Sequence, residues 1–250
     1  MKPIHFLVAG AAALASAGCN GEQQPQGGAG NPSGPVQTAQ RPASGDWSEA
    51  VTPTNEGGFL MGNPNAAVKL VEFGSMTCPH CATFDEQGMP QLTEKYLKNG
   101  SVSFEFRNFV RDPYDITAAL IARCNGAKSF FPLTRAMFKD QGEWTGKLQQ
   151  VPAEQMQGLQ AMAPQQQFTT IADWAGLQQF AGMRGVPKAK SSQCLANQSE
   201  IDRLVQMNSD ATSQYKVAGT PSFLINGKLV ENATSWSTLE PQIQQALGRG

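Results

Sequence analysis

The chain has 250 residues, a formal net charge of -1 and 40% hydrophobic residues, the balance of an ordinary globular protein. No charge excess and no basic stripe interleaved with aromatics is present, which argues against a nucleic-acid partner. The length permits one or two domains.

Met1 and Lys2 give a short positive start, and residues 6–15 form an apolar run. That run is far shorter than the about 20 residues a membrane-spanning helix needs. Small residues follow at 15–19, so residues 1–19 are expected to be a secretory signal peptide. Two cleavage readings compete. Ala15-Ser16-Ala17 fits ordinary secretion, whereas Ser16-Ala17-Gly18-Cys19 resembles a bacterial lipobox, with Ser16 where an aliphatic residue is usual. The lipobox is preferred, because an unpaired Cys19 ahead of a long tether suits an anchored protein. Cys19 is then the lipidated residue. One lipid chain anchors weakly; resemblance to bacterial lipoproteins implies three. The expected location is the periplasm, on a lipid anchor or else soluble.

Residues 20–53 are expected to be a flexible linker. The stretch up to about Trp47 is rich in Gly, Gln, Pro, Ser and Ala, which bury too little surface to offset the cost of ordering. Folded structure follows. Residues 68–73 mix β-branched, aliphatic and aromatic residues as a buried strand does. Residues 82–98 read as a helix ending at Asn99-Gly100, with a break near Gly88 and Pro90. Residues 101–110 read as a second strand. Asp115 is the expected cap of a helix through Ile116, Leu120, Ile121 and Cys124, with Gly126 past its end. Pro132 is the expected start of another. Two or three further helices are expected over 166–215, with Ile201, Leu204 and Val205 on one face. Residues 149–167 are glutamine-rich and carry no clear pattern. Asn226-Gly227 between two apolar runs is a strong hairpin signal. Ser237-Thr238-Leu239-Glu240 reads as a capping box that starts a last helix.

The order is strand, helix, strand, helical block, hairpin, helix. It predicts an α/β domain in two parts, residues 54–112 and 215–250, interrupted by a helical insertion over 113–214.

The chemistry centres on Cys78-Pro79-His80-Cys81. A strand feeding a Cys-x-x-Cys at a helix start reads as a thioredoxin-like redox site. Free amides and the helix dipole favour negative charge there, and the thiolate is the reactive form of cysteine. Cys78, expected to be the more exposed, is the candidate nucleophile, with a lowered pKa. Cys81 is expected one turn in, against the core. His80 is expected to donate a hydrogen bond or a positive charge to the thiolate. From a reducing thioredoxin to a strong oxidant the potential spans about 150 mV, or roughly 7 kcal/mol, so local electrostatics can set the direction of the reaction.

Other chemistries fit poorly. The only histidines are His5, in the signal peptide, and His80, which leaves too few ligands for a zinc site and no independent Ser-His-Asp triad. No metal and no cofactor are expected. Glu72 lies six residues before Cys78. It is either a buried acid that serves Cys81 as a proton shuttle or a glutamate facing solvent. Pro221, just before a strand, is either a cis proline at a tight turn or a trans proline opening an edge strand. Cys124 and Cys194 complete an even count in an oxidising compartment, so a structural disulfide between them is expected. A second redox relay is the competing reading.

Cys78-Pro79-His80-Cys81 after Val71-Glu72-Phe73, with Gly219-Thr220-Pro221 before a terminal hairpin and helix, resembles the DsbA family of bacterial thiol:disulfide oxidoreductases over about residues 56–248. The resemblance implies a thioredoxin-like fold interrupted by an all-helical domain, a cis Pro221 beside the disulfide, Glu72 as the buried acid, and Thr220 with Pro221 as the substrate-binding pair. Thr220 stands where the best-known oxidase of the family has valine, and threonine there resembles isomerase-type relatives. The expected activity is disulfide introduction into reduced or folding envelope proteins by exchange at Cys78-Cys81. A quinone-linked membrane protein is the expected reoxidant and a monomer the expected state. The alternatives are a reductase or isomerase of the same fold, and a non-enzymatic envelope lipoprotein that holds partners on an apolar surface near Met76 and Val217.

Overall fold

The computed structural model describes residues 40–248. The signal peptide, Cys19, His5 and most of the linker lie outside the described residues. The fold is a mixed α/β arrangement around a six-stranded sheet of order β1-β2-β4-β3-β5-β6. Its strands are β1 (Val51–Pro53), β2 (Phe59–Gly62), β3 (Val68–Gly74), β4 (Val102–Asn108), β5 (Ser222–Ile225) and β6 (Lys228–Leu229). Among the described strands only β3 and β4 pair in parallel; their register sets Glu72 beside Phe106. On its other side β3 pairs antiparallel with β5, which sets Glu72 beside Phe223.

The helices are α1 (Pro79–Gln87) and α2 (Met89–Leu92), a π-helical stretch Thr93–Leu97, then α3 (Pro113–Arg123), α4 (Ala127–Lys139), α5 (Gln141–Gln149), α6 (Ala153–Leu159), α7 (Pro164–Trp174), α8 (Leu177–Gly182), α9 (Lys188–Leu195), α10 (Gln198–Tyr215) and α11 (Trp236–Ala246). All of α3 to α10 fall between β4 and β5, which is the helical insertion within a thioredoxin-like fold.

The central strands are apolar because both faces of the sheet are covered. One face packs Phe104 and Phe106 of β4 against Phe130, Phe131 and Phe138 of α4. On the same side Phe84 of α1 lies tilted against Phe223 of β5, centroids 4.7 Å apart. This core runs without interruption from the sheet into the helical block. The other face carries Val71 and Phe73 under Ala211 and Tyr215 of α10. There Arg107 pairs with Glu105 at 2.8 Å, its guanidinium set against the Phe73 and Tyr215 rings. Thus α10 belongs to the insertion by sequence yet closes one face of the sheet.

Several local expectations need correction. The linker expected through residue 53 gives way to structure earlier. Asp46 caps a short turn at Trp47–Glu49, and β1 pairs with β2. Neither strand was anticipated, because both are very short and lie among Gly, Pro and polar residues. The helix after the cysteines starts at Pro79 rather than at 82, while the break expected near Gly88 is present, where an added Cβ would meet the Phe84 ring at 2.7 Å. Asp112, not Asp115, caps α3: its Oδ1 accepts the Asp115 amide at 2.9 Å, and Asp115 itself is fully buried. Pro132 lies inside α4 rather than at its start; Gly126, at φ 71°, precedes that helix. Four helices occupy 164–215 in place of two or three, and α6 lies in the unpatterned glutamine-rich stretch. On α10, Ile201 and Leu204 are buried, but Val205 is 52% exposed and faces away. The final capping box is made by Ser235 with Thr238, while Glu240 instead bonds Lys95 and Tyr96. The hairpin turn has positive φ at Asn226 and Gly227, and the Asn226 side chain accepts the Lys69 amide at 2.8 Å, which ties the turn to β3.

Cys124, at the end of α3, is disulfide-bonded to Cys194 of α9, their Cα atoms 5.5 Å apart. The bond closes a loop of 70 residues, for which chain entropy gives about 4 kcal/mol. Replacing both cysteines by alanine is expected to lower unfolding free energy by about that amount in urea titration and to leave Cys78 alkylation unchanged.

Candidate active site

The site sits at the carboxyl end of β3, where the chain leaves the sheet through Ser75, Met76 and Thr77. Cys78 is the N-cap of α1, with extended backbone (φ -87°, ψ 118°) and Pro79 as the first helical residue. Proline fits that position because its missing N–H would be unpaired there anyway. Cys78 and Cys81 are unbonded thiols. The expectation of an exposed Cys78 needs correction: it is only 3% exposed, and Cys81 is fully buried. Pro79 and His80 instead form the exposed rim.

The two sulfurs lie in opposite environments. Cys78 is held at about 5, far below an ordinary thiol, chiefly by the hydrogen bond from the Cys81 thiol, with burial opposing. Thr220 and the backbone amides of Cys81 and His80 contribute further. As a thiol, Cys78 Sγ donates to the Thr220 carbonyl at 3.3 Å. The Thr220 hydroxyl has no other partner, so it is free to donate to the thiolate. Burial pushes Cys81 well above the usual range, and its bond to Cys78 and the nearby Glu72 push the same way. His80 is exposed and its backbone amide is among the groups that lower the Cys78 pKa; among the described residues no hydrogen bond joins its imidazole to either sulfur, in place of the side-chain donor expected from sequence.

Glu72 is buried on the α1 side of β3, 2% exposed, with Oε1 unpartnered. Burial raises its pKa strongly, and Asp85 and Cys78 add to the shift. The solvent-facing alternative is therefore not the one adopted. Asp85, one turn beyond Cys81 on α1, is raised to about 6 by burial, partly offset by Arg135 at 3.8 Å. Spacing of four from Cys81 was the signal that could have found it.

Thr220-Pro221 is a cis peptide bond directly before β5. Its loop places the Thr220 carbonyl against Cys78, which joins two segments 142 residues apart. Cys124 and Cys194 are not part of this site. Met76 is fully buried and Val217 is 3% exposed, so neither residue contributes to the apolar surface expected near them. Beyond the sulfurs, the loop is cross-braced. Asp115 accepts the Met76 amide at 2.8 Å, Gln141 donates to the carbonyls of Met76 and Cys78, and Arg111 bonds Ser75 and Thr77. Burial raises Asp115 to about 6. Neither Asp115 nor Gln141 was identified as part of the site from sequence.

Residues 54–245 match the family model described as "Thioredoxin". A crystal structure named as protein-disulfide isomerase from Novosphingobium aromaticivorans is 37% identical, covers 75% of this chain and 96% of its own, and superposes with a TM-score of 0.72. Wolbachia pipientis alpha-DsbA1 is 22% identical, covers 76% of this chain and 90% of its own, and shares the fold with a TM-score of 0.61. Among curated relatives, a provisionally named protein-disulfide oxidoreductase of Rickettsia prowazekii is 27% identical over 70% of this chain. The chain spans 56% of the length of that relative. Disulfide bond formation protein D of Bacillus subtilis is 21% identical over 78% of this chain and 79% of its own length. Match, fold and cysteine motif together place the chain in the thioredoxin family, with the helix-interrupted architecture of DsbA-like proteins.

Proposed function

We propose that the chain is an exported thiol:disulfide oxidoreductase that introduces disulfides into cell-envelope proteins at Cys78-Cys81. The observation that carries the reading is the split between the sulfurs: Cys78 at about 5 and Cys81 well above the ordinary thiol range. A thiolate stabilised in the reduced state makes the disulfide a stronger oxidant. The names of the relatives, protein-disulfide oxidoreductase and disulfide bond formation protein, support the class.

In the oxidised enzyme a substrate thiolate attacks Cys78 Sγ. The S–S bond breaks, a mixed disulfide forms at Cys78, and the electron pair leaves on Cys81. Glu72, whose pKa burial raises well above the usual carboxylate range, gives Cys81 its proton. A second substrate thiol, deprotonated by solvent, then attacks the substrate sulfur of the mixed disulfide and expels Cys78 as a thiolate. Two electrons pass from substrate to the cysteine pair. Thr220 and Pro221 hold the extended substrate backbone beside Cys78. A membrane quinone-linked protein reoxidises the pair, and lipidated Cys19 keeps the enzyme near it. No helix among the described residues is long and apolar enough to cross a membrane.

The second reading, isomerase or reductase, is favoured by Thr220 and by the name of the Novosphingobium structure. It predicts efficient repair of scrambled disulfides, where the oxidase reading predicts efficient oxidation of a reduced dithiol peptide and weak repair. The holding-protein reading loses its support, because Met76 and Val217 are buried.

Cys78→Ser is expected to abolish peptide oxidation in a fluorescence-quenching assay; activity retained in that variant contradicts the proposal. Glu72→Gln is expected to slow oxidation about a hundredfold or more, the scale of a lost proton donor, with Cys78 alkylation little changed. A rate equal to wild type removes Glu72 from the mechanism.

A further inference from the structure

We infer that Gln141 is a positioning residue through which the helical block holds the Met76–Cys78 segment and sets the reactivity of Cys78. The inference rests on the reading of Cys78 as the nucleophile, and it concerns a residue that neither the motif nor the fold designates.

Gln141 opens α5 and is 8% exposed. Its Nε2 group donates at 2.9 Å to Met76 O and at 3.0 Å to Cys78 O. An amide nitrogen carries two hydrogens, so both are spent on the segment that ends in the nucleophile. Cys78 O also accepts the Ala82 amide, as the first bond of α1. The Gln141 N–H groups thus set partial positive charge against two carbonyls of the segment that carries the thiolate.

The same bonds fix geometry. Met76 has no strand partner, yet both its backbone groups are held, the N–H by Asp115 of α3 and the C=O by Gln141 of α5. The segment is therefore clamped from the helical block on one side, while Thr220 holds Cys78 Sγ from the other. Loss of the clamp lets the segment move and lengthens the contacts of Cys78 with Cys81, Thr220 and the α1 amides, on which its low pKa depends.

Gln141→Met keeps the length of the side chain and removes both donors. Gln141→Glu keeps the shape and puts acceptors where donors stood. Gln178→Met is the control: Gln178 is also buried, in α8, and donates to Ser191 and Ser192, within the helical block rather than to the Met76–Cys78 segment. In the full chain with Cys78 and Cys81 reduced, thiolate absorbance at 240 nm is followed against pH, and iodoacetamide alkylation is timed at pH 5. Gln141→Met is expected to raise the Cys78 pKa by about one unit, the size of one lost hydrogen bond. Alkylation at pH 5 then slows about fivefold. Gln141→Glu is expected to raise the pKa further. Gln178→Met is expected to lower Tm without moving the Cys78 pKa.

A wild-type Cys78 pKa in both Gln141 variants overturns the inference, as does a control that shifts Cys78 as much as they do. Should the methionine variant fail to fold, the isosteric glutamate variant decides. Shifts as expected in a protein that oxidises no dithiol peptide would uphold the positioning role and refute the oxidoreductase reading, so the two fail separately.

Discussion

The unequal treatment of two sulfurs one helical turn apart is the constraint on which the rest depends. Cys78 is placed where donors converge: the Cys81 thiol, the Thr220 hydroxyl, and the amides of His80 and Cys81 at the start of α1. Cys81 is placed where burial dominates. The linkage has a definite sign. Cys78 is an acid whose folded pKa, about 5, lies below the ordinary value of 9.0. Its contribution to the stability of the reduced protein is therefore full above pH 9 and fades as pH falls towards 5. In the disulfide form neither sulfur titrates, so the contribution belongs to the reduced state alone. On the proposed reading, that difference would make the disulfide an oxidant.

Holding such a charge near the core requires rigid surroundings, and the architecture supplies them from three directions. β3 delivers the loop and buries Glu72 beneath the pair. The Thr220-Pro221 loop ahead of β5 presses the Thr220 carbonyl to Cys78. The helical block reaches in through Asp115 and Gln141. The insertion is thus joined to the redox site by specific hydrogen bonds as well as by a shared apolar core, and its α10 closes the opposite face of the sheet.

The parts legible in sequence were those with local signatures. The cysteine motif after an apolar strand, the Asn226-Gly227 turn and the uninterrupted run of helical residues after β4 together prescribe the fold in order. The pairing of Thr220-Pro221 with Cys78, across 142 residues, came into view through family resemblance rather than through periodicity. What was not legible depends on contacts no spacing encodes. Gln141 is one of many glutamines and matters only because α5 begins against the loop. Asp115 looks like a cap, since acids near helix starts usually are, but Asp112 takes that place and turns Asp115 inward. The burial of Cys78 follows from the Thr220 loop folding over it.

The central claim is that the reduced pair is stabilised enough to make the disulfide an oxidant. The most direct measurement is the equilibrium potential of Cys78-Cys81 in glutathione buffers, read by alkylation and mass shift. The account predicts a value well above the glutathione couple and towards the strong-oxidant end, about -120 mV. A value near that of thioredoxin, about -270 mV, would contradict it and assign the site to a reductase.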